Sequence, residues 1–251
     1  MAFPERNIPS GYGSRAYSAE IDQGLRSYML SVYNYMAIGL AVTGGVAALV
    51  ANAAVASWET TPLTFTSFGI ALYSSPLQWL VILSPIALVM VFSFGIQRLS
   101  MPVAQGLFWA FAALMGVSLS SVLLLYTHES VTRVFFISAG AFAALSLYGY
   151  TTKRDLTAMG SFMIMGLFGL IIASLVNMWM KSSGMGFAIS VLGVGIFAGL
   201  TAYDTQTIKE MYYEGDDRTT TGRKAIMGAL NLYMDFINLF LMLLRLMGDR
   251  R

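Results

Sequence analysis

Apolar residues run in seven long blocks, at about 29–53, 77–97, 103–126, 132–150, 157–180, 185–208 and 225–246, separated by short polar connections. A helix rises about 1.5 Å per residue, so roughly 20 apolar residues cross about 30 Å of hydrocarbon. Six blocks meet that length cleanly. The seventh, within NLYMDFINLFLMLLRLMG (231–248), meets it with Asp235 at its centre. The pattern predicts an all-α integral membrane protein, a seven-transmembrane-helix bundle over residues 29–248. Residues 1–28 carry Pro4, Pro9, Gly11 and Gly13 with charges of both signs and lack the apolar core of a cleavable signal peptide, which predicts a polar, disordered tail. No polar stretch is long enough for a separate soluble domain, so function is expected inside the bundle.

Composition sharpens this picture. Hydrophobic residues make up 57% of the chain and charged ones 11%, against about 25% charged in soluble domains. The absence of cysteine excludes disulfides, thiolate metal sites and a cysteine nucleophile. A net charge of +2 without a basic stripe gives no support to nucleic-acid binding.

Charge placement sets the expected orientation. With the N-terminus in the cytoplasm, Arg6, Arg15, Arg26, Arg98, Lys153, Arg154, Lys209, Arg218, Arg223 and Lys224 lie inside, and Arg133, Lys181, Arg245, Arg250 and Arg251 outside. Ten against five satisfies the positive-inside rule. A re-entrant last segment would make the split thirteen to two; a full seventh span is the preferred reading. Trp79 and Trp179 mark outer span ends, and Tyr28, Tyr148, Tyr150, Tyr212 and Tyr213 inner ones. The connection 54–76, with Trp58, Phe65 and Phe68, is expected on the membrane surface. Pro85 is expected to kink the second span, and Gly193, Gly195 and Gly199 give the sixth a small-residue face for close contact.

Asp235 is the candidate chemistry. A charged carboxylate at a helix centre in lipid costs about 2.5–3.5 kcal/mol on insertion scales, so it needs a partner. Asp204, in GLTAYDTQTIKEMYYEGDD on the adjoining antiparallel span, is the expected one. Counted from Lys209 and Lys224, the two lie roughly 8 and 16 Å along their helices, a gap that tilt would close. Gly228, Asn231, Asn238 and Arg245 continue a polar stripe through Asp235, and Tyr203, Asn231 and Asn238 are the supporting polar side chains. Two neighbouring carboxyls in a low dielectric hold one proton between them and titrate in coupled steps, which makes a pH sensor. Arg98, in FGIQRLS at the inner end of the second span, is the available cation. The structural alternative has Asp204 capping a helix end, Asp235 bonded to Asn231 and Asn238, and Arg98 serving as a flank.

GYTTKRDLTAMGSF, GLTAYDTQTIK and LYMDFINLFLMLLRLMG, in that order, resemble the Bax inhibitor-1 family, also called the transmembrane Bax inhibitor motif family, in its bacterial branch. The resemblance covers about residues 29–248. It implies a bundle whose last helix is central, and a pH-sensitive calcium leak in the inner membrane without a resident cofactor. The di-aspartyl sensor matches Asp204 and Asp235, and the arginine latch matches Arg98. Release of the latch would let the second helix move and open a narrow cation path. Calcium prefers six to eight oxygens, so two acids and a few amides suit passage better than storage. Bacterial relatives are also described as modulators of a membrane-anchored ATP-dependent protease, with the polar N-terminal tail as the contact.

Other chemistries fit less of the chain. Intramembrane aspartyl proteases share a Tyr-Asp on one helix and a second aspartate on the next, but LYMD replaces their Gly-x-Gly-Asp and no proline follows Pro102. The single histidine, His128, has no serine-protease or zinc company, so no metal ligands are assigned and no enzyme is expected. A proton-coupled transporter would show substrate-driven uptake. Glu214, Asp216 and Asp217 form an acidic turn able to attract divalent cations at the inner mouth, or simply to be solvated.

Overall fold

The computed structural model describes residues 11–58, 63–96 and 99–251. The elements are α1 (Gly11–Ala54), β1 (Val55–Ser57), β2 (Thr64–Phe65), α2 (Ser67–Ser74), α3 (Leu77–Gly95), α4 (Met101–Leu125), α5 (His128–Thr151), α6 (Thr157–Met180), α7 (Ser183–Glu210) and α8 (Arg218–Met247). Six of the helices are long and apolar enough to cross a membrane: α1 from Asp22, and α4 to α8. The pair α2–α3, bent by 63°, makes a seventh if it is counted as one span.

Lipid offers the backbone no hydrogen bonds, so helix ends must be satisfied from within the chain. Short polar residues at the turns do this. Thr127 Oγ1 accepts from Ser130 N at 3.3 Å, Ser182 Oγ from Met185 N at 3.3 Å and Asp217 Oδ2 from Thr219 N at 3.0 Å, capping α5, α7 and α8. Pro102 sits in the first turn of α4, where its missing N–H leaves no bond unmade.

Two expectations change here. The helix runs back to Gly11, through residues 11–28 that the hydrophobic pattern assigns to a disordered tail. Polarity sets where a helix leaves lipid, not where it ends, and SRAYSAEIDQGLRSYML has no breaker after Gly13 except one glycine. The sharp bend lies at Ser75–Pro76, between α2 and α3 and just before the second apolar block, while α3 continues through Pro85. The carbonyl that Pro85 leaves without a helical donor is that of Val81, and Ser84 Oγ donates to it at 3.0 Å.

The connection after α1 folds into the antiparallel pair β1–β2, with Val55 opposite Phe65, and then α2. Trp79 and Trp179 are exposed near the ends of their helices. The three glycines of α7 divide. A Cβ on Gly193 would lie 2.8 Å from Met242 and one on Gly199 2.9 Å from Met163, whereas Gly195 faces open space. The predicted small face therefore splits between α8 and α6.

The most enclosed helix is α8, with 67% of its most apolar window buried against 11–39% for the other five. It lies against α1, α4, α5 and α7. Tyr233, fully buried on α8, meets Phe108 and Phe111 edge-on, and its hydroxyl lies 2.6 Å from Thr43 Oγ1 on α1. Thr43 Oγ1 is also 2.9 Å from Gly39 O and 2.8 Å from Ala112 O. Its one proton goes to those carbonyls, so the Tyr233 hydroxyl is the donor between the two side chains. Thr43→Val strands that hydroxyl, whereas Tyr233→Phe leaves Thr43 its carbonyls. Thr43→Val is expected to cost about 1–3 kcal/mol and Tyr233→Phe about 1 kcal/mol. Thermal unfolding of both variants and of the double variant checks this order.

Beyond α8 the chain clasps the start of α5. Thr127 N donates to Asp249 O at 3.0 Å, Arg251 N to Leu125 O at 3.1 Å and Ser130 Oγ to Asp249 Oδ2 at 2.9 Å. The Ser130 hydroxyl, and then Arg133, hold the Asp249 carboxyl below its ordinary value of 3.8. A lowered native value means that the clasp is fully present above pH 3.8 and is lost as pH falls through the native value. Asp249→Ala is expected to lower the amide-exchange protection factors of Thr127 and Arg251 at neutral pH to the values that wild type shows only in acid.

Candidate functional site

The C-terminal third of α7 carries an unusual density of polar side chains for a span, in TAYDTQTIK (201–209). Successive helical residues are about 100° apart, so four of them cover the whole circumference. Each points at a different neighbour. Tyr203 lies over Gly160 of α6, where a Cβ would come within 2.4 Å of its ring. Asp204 meets Asp235 of α8 in a side-chain hydrogen bond. Thr205 Oγ1 is 2.9 Å from Ser146 Oγ of α5, itself 2.7 Å from the Tyr33 hydroxyl of α1. Gln206 Nε2 donates to Arg154 O, and Leu156 N donates to Gln206 Oε1, each at 2.8 Å, which pins the α5–α6 connection. One turn on, Lys209 Nζ donates to Tyr150 O at 2.9 Å and lies 5.3 Å from that ring's centre.

The offset between the two aspartates closes for a directional reason. Every Cα–Cβ bond tilts toward its helix's N-terminus. In antiparallel α7 and α8 the Asp204 side chain therefore leans away from the α7–α8 turn and that of Asp235 leans toward it. Gly228, on the Asp235 face of α8, lets the helices approach: a Cβ there would lie 2.8 Å from Ile208. A hydrogen bond between two carboxyls requires a proton on one of them, so the pair as arranged is a one-proton device. Asp235 is 6% exposed, and its Oδ2 has no hydrogen-bond partner among the described residues. An unpartnered buried carboxyl oxygen is costly, which makes the pair sensitive to any cation or water that reaches it.

The other expected site residues are placed differently. Asn231 and Asn238 are half-buried on α8, and neither bonds Asp235. Tyr203 faces α6 and is a packing contact, not a partner of the pair. Arg98 lies outside the described residues. His128 is exposed at the start of α5, hydrogen-bonded to Arg251 and edge-on to Trp58. In the acidic turn Asp216 pairs with Lys224, and Asp217 caps α8 with its carboxyl held below the ordinary range by the Thr220 hydroxyl. Both acids are thus tied into the α7–α8 turn. Among the described residues no group of three or more His, Asp or Glu side chains converges, so the pair offers a cation two carboxyls and neighbouring carbonyls.

Thr205, Ser146, Tyr33, Gln206 and Lys209 were not legible as site-building residues. The signal present in the sequence was the run of polar residues itself, four in succession where one helix face would explain only some of them.

The sequence model of the family described as inhibitor of apoptosis-promoting Bax1 matches residues 25–251. An inner membrane protein of Escherichia coli K12, YbhL, is 47% identical over 232 residues, 91% of this chain and 94% of its own. A Rickettsia prowazekii protein is 46% identical over 230 residues, 92% of each chain. A Borreliella burgdorferi protein is 52% identical over 171 residues, 68% of this chain and 74% of its own.

Proposed function

Because the chain belongs to the Bax inhibitor-1 family, we propose that it is a pH-sensitive calcium leak of the inner membrane in which Asp204 and Asp235 are the proton sensor. The observation that carries this reading is the carboxyl pair itself, side by side between α7 and α8 with Asp235 buried, an arrangement that one shared proton would join. In this reading the bent pair α2–α3 is a span, α8 is the central helix of seven, and the N-terminus is cytoplasmic. Arg98, at the inner end of that bent span, latches the pair when it ionises.

A cavity of about 330 Å³ lies between α1, α4, α5 and α8, lined from Asn52 and His128 at the outer end to Thr43 and Phe236. Neither aspartate lines it, so in this reading the helices must move before a path reaches the pair. Loss of the shared proton leaves two anions side by side, and the helices carrying them must separate or admit a cation. That coupling links proton concentration to the width of the path.

The direct test is calcium influx into liposomes holding the purified protein, measured between about pH 5 and 8, where a buried acid pair is able to titrate. A passive, pH-dependent influx supports the reading, and its absence at every pH in folded protein removes it. The second reading, regulation of a membrane-anchored ATP-dependent protease, draws on the continuation of α1 to Gly11, beyond the first apolar block. Deleting residues 1–20 separates the two: lost protease association with intact influx favours regulation.

A further inference from the structure

At the end of the bundle away from Asp204, a second cavity, of about 590 Å³, opens between the α6–α7 turn and the end of α8. Three cations line it: Lys181 in the turn, Arg245 in the last turn of α8 and Arg250 beyond it. No acid lines it. The nearby carboxylate of Asp249 is committed to Ser130 and Arg133. The remaining polar lining is Asn177 and four serines. Asn177 Oδ1 accepts from Ser182 N at 3.0 Å, which fixes the amide and turns its NH2 group toward Gly186, also in the lining. The start of α7, at Ser183, opens on the same cavity and adds the positive end of a helix dipole.

Two independent features mark this cluster as built. By charge placement only five cations lie at this face, against the trend of membrane proteins to keep cations at the other, and three of the five converge here. Lys181 is also the only non-glycine among the described residues with a left-handed backbone, at φ 50°. Glycine or asparagine usually ends a helix in that conformation, because a Cβ crowds the following carbonyl. Here the strained position holds a lysine that lines the cavity together with the two arginines.

We propose that this cavity binds a phosphate group, that of an anionic lipid headgroup at the membrane surface. Several oxygens with concentrated negative charge are what three cations, an amide NH2 and a helix N-terminus satisfy together. Phe187, exposed and in the cavity's lining, and exposed Met178 of α6, one turn from Ser174 and Lys181, offer apolar surface that suits acyl chains descending beside α6 and α7. Free phosphate presents the same chemistry without those chains.

The test uses the full chain in an uncharged detergent, titrated in separate arms with phosphatidylglycerol, counted by native mass spectrometry, and with inorganic phosphate, followed by calorimetry. One equivalent is expected in the lipid arm. Each of Arg245→Gln, Arg250→Gln and Lys181→Gly is expected to weaken it about tenfold, the loss of one charge-assisted contact. Lys181→Gly relieves the left-handed backbone, so its melting temperature should equal or exceed that of wild type while its affinity falls. That combination excludes misfolding as the cause. Binding in the phosphate arm alone, weakened by the same substitutions, keeps the site and assigns it to a free anion. Binding in neither arm, or unchanged affinity in folded Lys181→Gly, overturns the proposal.

Discussion

Asp235→Asn should leave a calcium leak whose rate is flat between about pH 5 and 8, where wild type changes about tenfold or more over the titration of its shared proton. The carboxamide has no proton to lose, and its NH2 group donates permanently to the Asp204 carboxylate. The bond that joins α7 to α8 through one proton in wild type is then held at every pH. Asp204→Asn reverses donor and acceptor across the same gap and should flatten the response equally. Asp235→Ala differs, because it removes the bond and leaves Asp204 alone in the bundle. Its leak should be pH-dependent only through Asp204 and should differ from wild type at both ends of the range. Full wild-type pH dependence in folded Asp204→Asn and Asp235→Asn would remove the pair from the mechanism.

Gly149→Ala is the substitution expected to damage the bundle most for its size. A Cβ at this position would lie 2.1 Å from the carbonyl oxygen of Ala202, a backbone atom that no rotamer change can move. The helices α5 and α7 must separate at their crossing. One turn away the Ser146–Thr205 bond, 2.9 Å long, joins the same two helices and would open with them. Overpacking and the lost bond together should cost about 2–4 kcal/mol. Gly140 supplies the control on the same helix, since a Cβ there meets nothing within 4 Å. Gly140→Ala should be neutral or stabilising by up to about 1 kcal/mol through helix propensity. Thermal unfolding in detergent ranks the two, and comparable stability for both would show that the α5–α7 approach is not rigid.

The sequence by itself determined the helices and one pairing. Hydropathy reports transfer from water to lipid, which depends on each residue's own chemistry. The seven apolar blocks therefore fall on α1 and α3 to α8, although α1 reaches back to Gly11, well before its block. The Asp204–Asp235 pair was legible for the same reason: a carboxyl in mid-span is costly alone, and few partners lie on the adjoining helix. Tertiary structure decided the rest, because a helix's polarity does not say which neighbour each face meets. That choice turned Tyr203 toward Gly160 and Thr205 toward Ser146, and it divided the glycines of α7 between two helices. It placed the bend at Ser75–Pro76 and let α3 continue through Pro85, whose open carbonyl Ser84 satisfies. It also gathered Lys181, Arg245 and Arg250 around one cavity, from two helix ends far apart in the chain that only the packing of α6, α7 and α8 brings together.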